Sequence, residues 1–98
     1  MKVIRERDVE AYLVRKVKAA GGEVRKVQWI GRRGAPDRLV MLRGVAFIEV
    51  KRPGKKPTSA QAREMKRMVA NGAEATYVST FDEVDRVIEF MIHTRRYA

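Results

Sequence analysis

The sequence predicts an α/β protein, a three-layer sandwich in which helices cover both faces of a mixed central sheet. Apolar residues recur at helical spacing near both ends of the 98-residue chain, and short segments rich in β-branched and aromatic residues lie between them. Glycine or proline stands at most of the junctions. The predicted order is therefore α-β-β-β-α-β, followed by a C-terminal helix.

Each element depends on a local pattern. Val9, Leu13 and Val17 recur every four residues and form one apolar helical stripe. They predict a helix over 5–20, which Gly21 should end. The other predicted elements are strands over 23–30, 38–41, 45–50 and 74–79 and helices over 59–71 and 81–93.

The composition restricts the class of protein. The chain carries 22 Lys and Arg residues against 12 Asp and Glu, a net charge of +10 that is typical of a protein that binds nucleic acid. The absence of cysteine excludes disulfides, thiolate zinc sites and cysteine nucleophiles. The length predicts one domain over 1–98. No apolar run reaches the roughly 18 residues that cross a membrane, and the charged start is unlike a signal peptide, so we expect a cytoplasmic protein.

The two central strands carry the residues that point to chemistry. If a three-residue loop ending in Gly44 closes their hairpin, Asp37 lies directly opposite Glu49, with β-carbons about 5 Å apart. Lys51 follows Glu49 by two residues and shares that face of the sheet. A two-residue loop would send Asp37 to the opposite face unless a bulge corrected the register.

Two facing carboxylates repel each other unless a cation lies between them. Mg²⁺ or Mn²⁺ suits such a pair, and the backbone carbonyl of Val50 could add a neutral ligand. Lys51 is placed to orient the attacking water and to stabilise charge on a phosphate. The structural alternative is a turn aspartate and a solvated Glu-x-Lys ion pair. The apolar run over 45–48 favours the catalytic interpretation, because it predicts that Glu49 ends a buried strand.

Three short motifs follow one another along the chain in an order that is typical of one protein family. They are Gly-Ala-Pro-Asp-Arg-Leu over 34–39, Phe-Ile-Glu-Val-Lys over 47–51 and Gly-Lys-Lys-Pro-Thr-Ser-Ala-Gln over 54–61. Together they resemble the VRR-NUC family, the virus-type replication-repair branch of the PD-(D/E)xK nucleases, and in particular its standalone phage-encoded members. The resemblance implies a restriction-endonuclease-like fold and metal-dependent hydrolysis of phosphodiester bonds.

The resemblance also implies further site residues. In this family an acid from the first helix completes the metal site, and Glu10 is the first choice, with Glu6 one turn earlier as the second. Either acid has a structural alternative as a favourable charge at the start of a helix. Gln61 is similar to the family's downstream glutamine near the active site, but with Thr58 it also has the spacing of a capping box.

Two basic loops flank the predicted site and are expected to contact the phosphates of the DNA backbone. Their cations are Arg32, Arg33, Arg52, Lys55 and Lys56. Trp29 could stack on a base, although a tryptophan on a strand is more often a core residue. Lys26 could meet a phosphate, although a surface lysine is the more common outcome.

We expect a structure-directed endonuclease that uses Mg²⁺ or Mn²⁺ to cut branched DNA such as Holliday junctions. The likeness to junction resolvases of the same superfamily predicts a homodimer that nicks two strands symmetrically. One alternative is a non-catalytic nucleic-acid-binding module, against which the intact Asp37, Glu49 and Lys51 argue. Another is a sequence-specific restriction or homing enzyme, for whose recognition domain 98 residues leave little room.

Overall fold

The computed structural model describes residues 2–94, and their elements follow the predicted order. The elements are α1 (Glu6–Ala19), β1 (Glu23–Lys26), β2 (Arg38–Met41), β3 (Val45–Val50), α2 (Ser59–Ala70), β4 (Ala75–Val78) and α3 (Phe81–Thr94). None of the helices in this part of the chain is long and apolar enough to cross a lipid bilayer.

The strands form one sheet in the order β1-β2-β3-β4. β1 pairs with β2, and β2 pairs with β3, in antiparallel orientation. β3 and β4 run parallel, because α2 returns the chain to the end of the sheet where β3 began. The sheet is therefore mixed, as the sequence predicts.

Helices cover both faces of this sheet. Alternate residues of β2 and β3, such as Val40 and Ile48, are fully buried in one apolar cluster with the stripes of α1 and α3. α2 lies on the other face, where Met65 is buried close to Tyr77 of β4. The three-layer sandwich is confirmed, and its main core lies between the sheet and the pair formed by α1 and α3.

The hairpin between β2 and β3 has the predicted three-residue loop, because Met41 pairs with Val45. Within the loop, Arg43 has a φ of 55° and Gly44 a φ of 150°, so two consecutive residues adopt positive φ. Glycine takes such a conformation without a steric penalty, whereas a residue with a side chain does not. The Arg43 side chain is anchored, since its Nη1 donates to the Ile92 carbonyl over 2.9 Å.

The first strand is shorter than predicted. The sequence predicts a strand over 23–30, but β1 ends at Lys26. Val27 still donates its N–H to the Asp37 carbonyl over 2.9 Å. The same register would place residue 34 opposite residue 30, and Gly34 has a φ of 75°, which is not an extended conformation, so the pairing stops. The prediction failed because the strand's partner was not visible in the local pattern.

The other boundaries agree with the predictions to within one residue. α1 ends at the predicted glycines, where Gly21 adopts a φ of 96° and the Gly22 N–H bonds the Val17 carbonyl over 2.9 Å. Gly22 has no room for a side chain, because an added β-carbon would collide with the Met41 carbonyl oxygen. The end of α1 is thereby packed tightly against the hairpin.

Candidate active site

Asp37 and Glu49 face each other across the β2–β3 hairpin. The register pairs Leu39 with Phe47, and two residues further along it places Asp37 opposite Glu49. Since side chains alternate between the faces of a sheet, both carboxylates lie on the face that α2 covers. The hairpin register predicted from the loop length is confirmed.

The Glu49 carboxylate is largely enclosed, with 14% of its side chain exposed. Lys51 Nζ lies 3.6 Å from Glu49 Oε2, and Gln61 Nε2 donates to the same oxygen over 3.3 Å. Burial raises the pKa of Glu49 above its usual range, and the negative charge of Asp37 raises it further, while the Lys51 ammonium acts in the opposite direction. A cation close to Glu49 and Asp37 would therefore be stabilising.

Lys51 is buried, which is rare for a lysine without a charged partner. Its backbone N–H donates to the Val78 carbonyl over 2.9 Å, and this bond extends the pairing of β3 with β4 by one residue. The extended backbone directs the Lys51 side chain to Glu49, on the same face. An acid and an amine thus lie side by side at the end of a buried strand.

Gln61 makes both sets of contacts that the sequence offered as alternatives. Its Oε1 accepts the Thr58 N–H over 2.9 Å, and its own N–H donates to the Thr58 hydroxyl over 3.1 Å, so the capping box is formed. Its Nε2 remains available and donates to Glu49. The start of α2 is therefore fixed relative to the Glu49 carboxylate.

The backbone carbonyl of Val50 is directed towards β2. Phe47 and Lys51 both direct their N–H groups to β4, and backbone groups alternate in direction along a strand. The Val50 carbonyl therefore faces the opposite neighbour. Extending the β2–β3 register places Pro36 there, and proline has no N–H to donate. This oxygen is available as the neutral ligand that the sequence predicts.

Arg38 is a neighbour of the site that the sequence did not single out. Its side chain is 10% exposed, and its guanidinium lies 2.7 Å from Glu10 Oε2 and 2.9 Å from Asp37 Oδ1. Burial alone would lower the pKa of Arg38, but these two carboxylates raise it, so the charge is retained. Strand alternation could have identified Arg38, because it places this cation among the inward-facing residues of β2.

The two candidate acids of α1 have different surroundings. Glu10 accepts a hydrogen bond from Arg38 Nε over 2.9 Å, so its carboxylate is already paired. Glu6 is exposed, and after burial and Asp37 its negative charge is a further cause of the raised pKa of Glu49. Within residues 2–94, no three acidic or histidine side chains are close enough together to hold a metal ion. The fold brings Asp37 and Glu49 together and joins Glu10 to them through Arg38.

The basic residues predicted to contact DNA fall into two groups. The exposed group makes no side-chain ion pair within residues 2–94, and its members are Arg33, Arg52, Lys55 and Lys56. Arg32 differs, because it is bound by Glu64, a buried acid of α2. This ion pair could not be predicted from the sequence, since nothing in a helical pattern marks an acid as buried.

A cleft of about 520 Å³ opens beside Asp37. Trp29 forms one wall, where its Nε1 donates to the Pro36 carbonyl over 2.9 Å and its ring packs on Phe47 with centroids 5.4 Å apart. The exposed Lys26 also lines this cleft. Trp29 is held by packing on the sheet, and base stacking by its ring stays a prediction.

The chain is similar to known proteins over most of its length. It is 43% identical over 84 residues to "Putative nuclease p44" of Acyrthosiphon pisum secondary endosymbiont phage 1, a match that covers 84% of this chain and 90% of that protein. A solved structure titled "VRR_NUC domain" superposes with a TM-score of 0.76 at 41% identity and covers 86% of this chain and 94% of that one. No family model matches the sequence.

These similarities extend over nearly the whole of both relatives, so they concern the entire arrangement of elements. The four-stranded mixed sheet, the helices on both of its faces and the α-β-β-β-α-β-α order agree with them. The chain belongs to the VRR-NUC family and is a nuclease domain of the phage type.

Proposed function

We propose that this protein is a metal-dependent endonuclease that hydrolyses phosphodiester bonds in branched DNA, such as Holliday junctions. A nuclease function follows from the family, and the metal and the branched substrate are the parts that we add. The observation that carries the proposal is the meeting of Asp37 and Glu49 across the hairpin, with Lys51 and Gln61 both directed at Glu49 Oε2.

The residues at this end of the sheet fit Mg²⁺ or Mn²⁺. Asp37 and Glu49 offer two carboxylates, and Val50 offers a carbonyl oxygen. The Asp37 side chain is 48% exposed, which leaves access for waters and a phosphate oxygen, the ligands that these ions keep in enzymes. When bound, such an ion acidifies water and neutralises charge that develops on the phosphate.

Lys51 and Gln61 supply the protein's own contribution. The Lys51 ammonium donates hydrogen bonds to the attacking water or to a phosphate oxygen, whose negative charge grows as the new bond to phosphorus forms. Gln61, oriented by its cap on Thr58, holds Glu49 in position. We expect Lys51→Ala to lower the cleavage rate by about 10² to 10³-fold, the effect of removing one donor aimed at developing charge.

An acid of α1 would complete the ligand set, and the choice between Glu10 and Glu6 is open to experiment. Glu10 must release Arg38 to reach a metal, whereas Glu6 is exposed. Titration of Mn²⁺ into Glu6→Gln and Glu10→Gln, followed by calorimetry, separates the two acids, since only the variant of the ligand should lose affinity. An unchanged affinity in both variants would show that neither acid is a ligand.

Cleavage assays test the proposed activity. The protein is incubated with junction, flap and linear duplex DNA in Mg²⁺, Mn²⁺ or EDTA, beside Asp37→Ala and Lys51→Ala. Lys18→Ala serves as the matched control, because Lys18 is an exposed cation near the end of α1. We expect metal-dependent cleavage, fastest on branched DNA, that is strongly slowed in both site variants and retained in the control. Cleavage that survives both site substitutions would refute the assignment.

A nucleic-acid-binding module without catalysis is the competing function. The net charge of +10 supports DNA binding whether or not the protein cleaves its ligand. Binding of junction DNA without cleavage in either metal would establish this alternative. The retention of both acids and of the buried lysine favours the enzyme, because three ionisable groups at one strand end are costly to keep in a protein that only binds.

We further propose that the protein acts as a homodimer in the cytoplasm of a bacterium or phage-infected cell. The phage origin of one relative supports the location. Two copies related by a two-fold axis would present two active centres to a symmetric junction and widen the basic surface. Sedimentation velocity with and without junction DNA tests the assembly, and a monomer under both conditions would refute it.

A further inference from the structure

A cluster of arginine side chains lies one helical turn beyond Gln61 on α2. There, the loop that follows β1 and one face of α2, from Ala60 to Arg67, enclose a cleft of about 230 Å³. Four guanidinium groups line this cleft around one carboxylate, and these residues are Arg32, Arg33, Arg63, Arg67 and Glu64. We call it the arginine cleft.

Glu64 is the buried anion of the arginine cleft, with 6% of its side chain exposed. Its Oε1 accepts from Nη2 of Arg32 over 2.5 Å and from Nη2 of Arg67 over 2.8 Å, and its Oε2 accepts from Arg32 Nε over 3.3 Å. The hydrogen bonds from Arg32, and then those from Arg67, lower the pKa of Glu64. Both arginines are therefore oriented by an ionised carboxylate.

Arg33 and Arg63 have no such acceptor. Both side chains are exposed, and neither makes a hydrogen bond or an ion pair with any residue of the described chain. The side chains of Arg32 and Arg67 are still 47% and 57% exposed, so both arginines remain accessible from solvent although Glu64 binds them. One carboxylate cannot neutralise four guanidinium groups, and the excess positive charge would be neutralised by an anion.

We propose that the arginine cleft binds a backbone phosphate of the DNA strand, distinct from the phosphate that is cleaved, and that Glu64 is the positioning residue that orients Arg32 and Arg67 for it. This proposal rests on the nuclease function proposed above. Guanidinium groups bind phosphate oxygens through paired, coplanar donors, a geometry that lysine lacks. Arginines that are already held lose less side-chain freedom when the phosphate arrives.

The cleft is connected to the candidate active site through α2. Glu64 follows Gln61 by three residues, about 4.5 Å along the helix axis, and Gln61 contacts Glu49. On the loop side, Gly34 packs so closely on α2 that an added β-carbon would lie 3.1 Å from the Gln61 backbone nitrogen. A phosphate held in the cleft would therefore set the position of the DNA strand relative to Glu49 and Asp37.

The first test measures DNA binding without cleavage. In EDTA, fluorescence anisotropy follows the binding of a labelled junction to the full protein and to Arg33→Gln and Arg63→Gln, at several salt concentrations. Each substitution should reduce the salt slope by about one and the affinity by about fivefold near 0.15 M salt. Lys18→Gln removes the same charge from α1, on the opposite face of the sheet, and should change the affinity by less than about twofold. Cleft variants that bind like this control would overturn the proposal.

The substitution Glu64→Gln distinguishes DNA binding by oriented arginines from DNA binding by net positive charge alone. It makes the net charge more positive, so electrostatic attraction alone predicts tighter DNA binding. The positioning role predicts the opposite, a loss of affinity of about fivefold or more, because Arg32 and Arg67 lose their charged acceptor. Arg32→Lys and Arg67→Lys keep the charge without the planar fork and should lose affinity similarly, which covers the case that Glu64→Gln does not fold. Unchanged or tighter binding in the folded variants would overturn the role of Glu64.

Two further comparisons are needed. The first distinguishes a DNA phosphate from free phosphate as the ligand of the cleft, and the second distinguishes failure of the nuclease proposal from failure of the cleft proposal. Inorganic phosphate, added at constant ionic strength, should displace the labelled junction no better than chloride does, and displacement by millimolar phosphate would assign the cleft to the free ion and overturn the proposal. If the protein cuts no DNA but Arg33→Gln and Arg63→Gln still weaken binding, the nuclease proposal fails and the cleft stands. If the protein cuts DNA and these variants bind normally, only the cleft fails.

Discussion

Gln61 donates from Nε2 to Glu49 Oε2 over 3.3 Å while its Oε1 accepts the Thr58 N–H over 2.9 Å. One amide therefore holds a helix cap and a site carboxylate at the same time. Because the cap fixes the amide group, the donor is aimed at Glu49 before any substrate or metal arrives. The substitutions that remove one of these functions and keep the other are consequently informative.

Gln61→Glu should mainly lower the cleavage rate, whereas Thr58→Ala should mainly lower the stability of the fold. Glu at position 61 still accepts the Thr58 N–H, but it places a second carboxylate against Glu49, so we expect cleavage to fall by about tenfold, or ~1.4 kcal/mol. Thr58→Ala removes the hydroxyl acceptor of the cap and should lower the free energy of unfolding by about 1 kcal/mol, with cleavage nearly unchanged. Urea unfolding and single-turnover cleavage measure the two effects. Equal loss of activity in both variants would contradict a site role for Gln61.

Glu49→Gln should stabilise the metal-free protein at neutral pH. Burial, Asp37 and Glu6 raise the pKa of Glu49, so the ionised carboxylate disfavours folding above that pKa, and the neutral amide removes the penalty. As pH falls through the raised pKa towards the unfolded value, the native carboxyl becomes protonated and the advantage of the variant should disappear. Unfolding in EDTA across this pH range measures the difference. A variant less stable than the native protein at pH 7 would contradict the raised pKa.

Gly34→Ala should impair the protein more than Gly31→Ala. Both glycines have positive φ, 75° and 79°, so alanine costs about 1–2 kcal/mol at either position. An added β-carbon meets nothing within 4 Å at Gly31, but at Gly34 it lies 3.1 Å from the Gln61 nitrogen. We expect the extra contact to displace the loop from α2 and to lower the cleavage rate in Gly34→Ala alone. Similar rates in the two variants would mean that this packing does not position the site.

Arg38→Lys should destabilise the fold although it conserves charge. A lysine cannot reach Glu10 and Asp37 with separate coplanar donors. These two carboxylates are 36% and 48% exposed, so we expect a loss of about 1–3 kcal/mol, below that of a fully buried pair. Arg25→Lys is the matched control, because its ion pair with Glu23 is exposed and should cost less than about 0.5 kcal/mol. Equal unfolding free energies for the two variants would show that the bridge at Arg38 contributes little.

Short-range patterns were sufficient for most of the fold. The glycines after α1, the capping box before α2 and the length of the β2–β3 loop are local signals, and the structure agrees with each. The strand over 23–30 was too long, because its end depends on Gly34, a residue of the segment that leads into the neighbouring strand. The end of a strand depends on the conformation of the strand with which it pairs, and that pairing is formed only in the tertiary structure.

The residues of the candidate site also fall into two groups, those that the sequence identified and those that only the structure identified. Asp37, Glu49, Lys51 and Gln61 could be named from their spacing and from the resemblance, and the register then brought the two acids to one face. The burial of Glu64 and the pairing of Arg38 with Glu10 could not be recognised in this way, because Glu64 meets Arg32 and Arg38 meets Glu10 across 32 and 28 residues of chain. Strand alternation marks Arg38 as inward-facing, but only the tertiary structure shows which acid neutralises a buried charge.

By itself, the sequence determined the order of elements, the hairpin register and the acids and lysine that converge at its end, because these follow from backbone preferences and from side-chain alternation over a few residues. Only the tertiary structure decided that Glu10 is paired with Arg38, that Gln61 both caps α2 and contacts Glu49, and that Glu64 gathers arginines into a cleft. These contacts join elements distant in the chain. Packing of the helices on the sheet sets their distances, and no local pattern contains that information.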